Sequence, residues 1–268
     1  MLIDSHCHLD RIDLEPYRND FSVFLKEAEN QRIEHMLCIS IDMEAYPPML
    51  DLVSRYPQLS ATVGVHPNAH EGFEPNEEQL VELGSHPKVI GIGETGLDYF
   101  RSAGDLGWQH ERFRTHIRAA KALNKPLIVH TREAREDTLR ILKEEGAESC
   151  GGVIHCFTEN QAFAEQALDL NFYLSFSGIV TFNSAKEIKE VAKRVPLDRF
   201  LIETDSPYLA PVPFRGKPNY PTYVRYVAEQ IAELRNTSFE EIADASTRNF
   251  YTLFKLNQQS DKKPLPEI

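Results

Sequence analysis

The chain has 268 residues, 41% hydrophobic and 26% charged, with a formal net charge of −12 and a mean hydropathy of −0.40. That is enough apolar material for a core, with no stretch resembling a transmembrane span. The acidic balance argues against a broad basic face that grips duplex DNA through many phosphates, but leaves open a phosphodiester held at bound cations. Four cysteines, Cys7, Cys38, Cys150 and Cys156, form no C-x-x-C pair, and no basic-then-apolar leader opens the chain. Both features predict a cytoplasmic protein with reduced thiols.

Taken in order, an apolar opening stops at His6-Cys7-His8, and a helical segment follows over residues 20–30. Strands are then predicted at 35–41 and 61–65, with helices at 43–56 and 76–85 around the second of them. Four later apolar runs each end at a side chain able to bind a metal: 89–93 before Glu94, 127–129 before His130, 153–154 before His155, and 200–202 before Glu203-Thr204-Asp205. With residues 172–176 these make eight candidate strands. Helices are predicted between them at 108–124, 134–145, 161–168 and 184–195, and two more close the chain at 223–234 and 239–254.

Short apolar runs suit parallel strands buried on both faces, and strand then helix, eight times, is the pattern of a (β/α)8 TIM barrel. A doubly wound sheet shares the alternation. Ligand placement separates them, because candidates on strands one, four, five, six and eight meet only in a closed ring. Such barrels commonly run to about 250 residues as one unit. The expected organisation is therefore one domain over residues 1–257 and a polar tail at 258–268.

Alternate strand residues share a face, so His6 and His8 can converge on one ion. In a parallel barrel the exits of all strands lie at one mouth, where His6, His8, Glu94, His130, His155 and Asp205 would meet. Mixed imidazole and carboxylate donors suit zinc, manganese or magnesium. Six donors exceed what one catalytic ion needs, so two divalent ions are expected, bridged by Glu94. His35, His70, His86, His110 and His116 close no apolar run and are read as structural.

The motifs DSHCHLD (4–10), GVHP (64–67), GETGLDY (93–99), VHTR (129–132), HCF (155–157) and ETDSPYL (203–209) resemble the TatD family of metal-dependent deoxyribonucleases, closest to its YcfH branch. The resemblance implies a TIM barrel of the amidohydrolase-like superfamily and hydrolysis of DNA. It also implies that the six residues just named are the metal ligands. Thr95 departs from the cysteine that often follows the bridging glutamate. Family similarity favours His66 as a phosphate contact, and Arg132, Arg215 and Lys217 can supply cations to phosphate oxygens. Asp98 and Tyr99 are expected to shape the mouth, and Glu203 to support a ligand from behind.

The expected chemistry is hydrolysis by a metal-activated water, with Asp205 and Glu94 as catalytic carboxylates and Asp205 as proton acceptor. DNA, single-stranded or with frayed ends, is the expected partner, with no membrane and no obligate protein partner. The alternative is hydrolysis of an amide, ester or lactone by the same kind of centre, since fold alone does not choose a substrate. A metal-storing or nucleic-acid-binding module is the non-catalytic alternative.

Overall fold

Each apolar run becomes a strand buried on both faces in the computed structural model, which describes residues 1–256; the tail anticipated at 258–268 lies outside that range. The strands are β1 (Leu2–Cys7), β2 (Ile33–Cys38), β3 (Leu59–Val63), β4 (Val89–Asp98), β5 (Leu127–Arg132), β6 (Gly152–Ile154), β7 (Phe172–Phe176) and β8 (Phe200–Ile202). They form one parallel sheet in chain order. Parallel neighbours need long crossovers, supplied by α1 (Phe21–Asn30), α2 (Tyr46–Ser54), α3 (Glu77–Gly84), α4 (Gly107–Leu123), α5 (Arg135–Glu144), α6 (Gln161–Asp169) and α7 (Lys186–Arg194). Polar caps fix several helix starts: Asn76 and Gln79 form a reciprocal capping box at α3, and Asn160 caps α6 through the Phe163 N–H.

The ring closes just beyond β1 and β8. Cys7 and Ser206 form a parallel bridge, and the Asp205 N–H donates to the His6 carbonyl at 2.9 Å while the His8 N–H donates to the Ser206 carbonyl at 2.8 Å. This is the nearly closed TIM barrel that the ligand placement demanded. After β8 come α8 (Val224–Arg235), which packs beside α7 and against β1, and α9 (Phe239–Leu253). Phe250 of α9 plugs the barrel floor against a cluster that includes Ile3, Leu37, Ile128 and Leu201. Asn249 Nδ2 tethers it by donating to the Leu197 and Phe200 carbonyls at 3.0 and 2.8 Å.

Boundaries differ where local chemistry overrides the apolar pattern. α2 starts at Tyr46 rather than residue 43, because two prolines stand in its first turn and the Ala45 N–H is taken by Asp42 Oδ1 at 2.7 Å. β4 does not end before Glu94 but runs on to Asp98, pairing Gly96 with His130 and Asp98 with Arg132. Gly93 and Gly96, at φ +140° and +133°, make that extension possible. A Cβ on Gly96 would stand 2.0 Å from the His130 carbonyl oxygen. Glu94 and His130 therefore sit within their strands, near the mouth, and not just past the strand ends.

Candidate metal centre

Strict alternation along β1 would not deliver its two histidines to the mouth. Ile3 faces the barrel interior and Leu2 the helix layer, so an ideal strand would turn His6 outward. The β1–β2 register shifts between Asp4 and Cys7, and this irregularity turns both imidazoles inward. Cys7 packs behind them, its thiol 3.4 Å from the Leu37 carbonyl oxygen.

Glu94 is the centre of the resulting cluster. Its Oε2 lies 3.4 Å from His6 Nε2. Its Oε1 lies 2.8 Å from His155 Nε2, 3.2 Å from His130 Nδ1 and 3.2 Å from His66 Nε2. On the Oε2 side, Asp205 Oδ1 approaches His6 Nε2 at 3.5 Å and His8 Nε2 at 3.4 Å. His6 and His155 stack across the middle, ring centroids 3.9 Å apart. Two groups of donors thus share one carboxylate.

The outer hydrogen bonds decide what these nitrogens can do. His8 Nδ1 meets the Ile39 carbonyl at 3.1 Å, and a carbonyl can only accept, so that nitrogen carries the hydrogen and Nε2 presents its lone pair to Asp205. His130 Nε2 faces Asp98 Oδ2 at 3.1 Å, which leaves the Nδ1 lone pair aimed at Glu94. His155 Nδ1 faces Glu203 Oε1 at 3.3 Å, leaving Nε2 aimed at Glu94. In the neutral rings these lone pairs point at carboxylate oxygens and repel them unless a proton or a metal ion lies between. Both nitrogens of His6 are buried without a hydrogen-bond partner, a costly state that a bound cation relieves. The residues therefore fit divalent metal, with the carboxylate-backed imidazoles common around such ions. His66 differs: its Nδ1 accepts the Asn68 N–H at 2.9 Å, so its neutral ring offers an N–H donor, not a lone pair, to the centre.

Charge at the site follows the same wiring. Burial opposes ionisation of Glu94, but His155 and the neighbouring imidazoles hold its carboxyl well below the usual range. Burial likewise opposes charge on His155, and Glu94 and Glu203 overcome it to push that imidazole well up. His6, buried and next to His155, is shifted down. Asp98 is lowered against burial by the hydrogen bonds from His130 and Asn68.

The other anticipated residues divide. Asp98 stands at the mouth, taking Asn68 Nδ2 at 2.8 Å as well as His130. Tyr99 does not face it: its hydroxyl lies 2.7 Å from Asp137 Oδ2 and 2.6 Å from His110 Nε2, between α4 and α5. Arg132 lies over the Phe100 ring, 3.8 Å from its centroid, and Arg215 over Phe182 at 4.3 Å. Arg215 and Lys217 are exposed in the loop after β8, outside the cluster. Sequence reasoning passed over two buried supports. Asn219 Nδ2 donates to the Thr204 and Tyr208 carbonyls at 2.8 and 2.6 Å, fixing the loop that carries Asp205. Gln109 accepts the Asp98 N–H at 3.0 Å and donates to the Pro67 carbonyl at 3.2 Å, joining the two loops around His66 and Asp98. A buried amide on an amphipathic helix was the available signal for Gln109; for Asn219, in an irregular loop, there was none.

Comparison with known proteins gives the family. The family model for TatD related DNase matches residues 3–255. The chain is 47% identical over 257 residues to the uncharacterised metal-dependent hydrolase YcfH of Escherichia coli, covering 96% of both chains. It is 45% identical over 260 residues to the uncharacterised metal-dependent hydrolase YabD of Bacillus subtilis, covering 96% of this chain and all of YabD (100%). Among solved structures, the E. coli TatD homologue YjjV superposes with a TM-score of 0.86 at 29% identity, over 96% of this chain and 98% of that one. The chain belongs to the TatD family of metal-dependent hydrolases.

Proposed function

We propose that this hydrolase is a deoxyribonuclease that cleaves phosphodiester bonds of DNA, working from single-stranded ends, with two divalent ions of zinc, manganese or magnesium. The observation that carries the reading is the division of the cluster about Glu94, one oxygen toward His6 and the other toward His130 and His155. His6, His8 and Asp205 would hold one ion, His130 and His155 the other, and Glu94 both. When bound, such a pair supplies a nucleophilic water at neutral pH and neutralises charge on the phosphoryl oxygens.

The chain's own residues supply the rest. Asp205, shifted down against burial by His8 and His6, is ionised and positioned to accept the water's proton. His66, whose Nε2–H faces Glu94 Oε1 at 3.2 Å, would turn that N–H to a non-bridging phosphate oxygen of a bound substrate. Glu203 and Asp98 fix the rings of His155 and His130, so the donor set is preorganised. With a net charge of −12, binding rests on this centre and a few cations such as Arg132. Among the described residues no helix is long and apolar enough to cross a membrane.

The test is hydrolysis of a single-stranded oligonucleotide against a panel of lactones, esters and amides, each with and without Mn²⁺. Metal-dependent release of nucleotides supports the reading. Turnover confined to the lactone, ester or amide panel would instead make this centre a carbonyl hydrolase.

A further inference from the structure

Phe100 is, at 55% exposure, the most exposed large hydrophobic side chain among the described residues. A single exposed apolar residue is ordinary; the way this one is held is not. The Arg132 guanidinium lies 3.8 Å over the ring centroid and covers one face. The backbone on both sides is tied down: the Tyr99 N–H donates to the Arg132 carbonyl at 3.0 Å, and the Arg101 N–H to Asp98 Oδ1 at 2.9 Å. Gln109, wholly buried, clamps the same loop by donating to Ser102 Oγ at 2.8 Å. The ring is thus presented to solvent from a held backbone with Arg132 against one face, and an aromatic so held loses less freedom on binding.

Its position gives it a purpose. Phe100 lies two residues past Asp98, at most about 7 Å of chain, and Asp98 contacts His130, whose other nitrogen faces Glu94. We propose that Phe100, backed by Arg132, is a stacking site for an unpaired nucleobase of the strand whose phosphodiester lies at the metal centre. The inference rests on the nuclease reading and adds where the strand is gripped. Proteins that bind single strands join aromatic platforms to nearby cations, because every base has a π-face and every nucleotide a phosphate. Arg132 serves both, stacking its plane on the ring while its N–H groups remain available to phosphate oxygens.

The experiment uses Mn²⁺-loaded enzyme and single-stranded hexamers, each carrying one abasic tetrahydrofuran at a successive position. The unaltered enzyme should show a loss in kcat/KM of about five- to 150-fold at one position, the range expected for one lost base stack. Phe100→Ala should cleave the intact hexamer correspondingly less well and lose the penalty at that position, and Phe100→Trp should restore both. Equal metal content and circular dichroism in all three proteins exclude misfolding. A penalty that persists in Phe100→Ala, or an unchanged KM for the intact hexamer, overturns the stacking site while leaving the nuclease reading standing. If the unaltered enzyme cleaves no hexamer, the nuclease reading falls and the site with it.

Discussion

Asp98 Oδ2 lies 3.1 Å from His130 Nε2, and this contact determines that Nδ1 is the nitrogen His130 turns toward Glu94. The carboxylate is itself buried and fixed by Asn68 and the Arg101 N–H, so it cannot follow if the ring turns. Asp98→Asn removes the charge and frees the tautomer. Metal affinity should fall by about 10- to 100-fold, measured by competition with a chromogenic chelator. Unchanged affinity would mean that the Asp98 contact does not hold the ring for metal.

Asp205→Asn should reduce kcat more than it raises KM, because a proton acceptor acts in the transition state while substrate binding draws on other groups. A loss of about 10²- to 10⁴-fold in kcat is expected for a positioned base. Steady-state kinetics at saturating metal provide the check, with metal content measured in parallel to separate proton acceptance from ligation.

Salt dependence should be shallow. Each phosphate contact on a single strand contributes about 0.7 to the log–log slope, so two or three contacts give a slope near −2. Binding of a fluorescent oligonucleotide across a salt series tests this. A slope steeper than about −5 would reveal an extended basic groove.

His116 gives a pH prediction independent of the metal. Its Nε2 accepts the Val65 N–H at 3.0 Å and its Nδ1 donates to the Arg112 carbonyl at 2.8 Å, a neutral ring locked between α4 and the end of β3. Burial lowers its pKa from 6.5 to about 4. The unfolded chain therefore binds the proton first as pH falls, and stability is full above about 6.5 and declines from there to about 4. The decline from this group is on the order of 3 kcal/mol. Urea unfolding at pH 7.5 and pH 4.5 should show a larger drop for the unaltered protein than for His116→Gln, whose own baseline is lower. Equal drops would remove His116 from the account.

The barrel was legible because eight apolar runs alternate with helical segments, and because His6, Glu94, His130, His155 and Asp205 lie on or just past strands that only a ring brings together. What escaped was local geometry. The shift in β1 that turns His6 inward leaves no mark on the pattern of residue types, and the continuation of β4 depends on two glycines whose φ angles the sequence does not state. Tyr99, expected at the mouth with Asp98, directly follows it, and adjacent residues of an extended chain face opposite sides; its partners Asp137 and His110 belong to the helices α5 and α4. His66 carried a histidine's ambiguity, and only the Asn68 N–H on its Nδ1 separates it from the lone-pair donors.

Two divalent ions joined by Glu94, as proposed, would be read in the metal content of the protein. Elemental analysis of protein reconstituted with Mn²⁺ and freed of loosely bound ions should find two ions per chain, and Glu94→Gln should hold at most one while keeping its circular dichroism and losing oligonucleotide hydrolysis. Two ions per chain with undiminished turnover in Glu94→Gln, or a single ion in the unaltered and fully active protein, would contradict that arrangement.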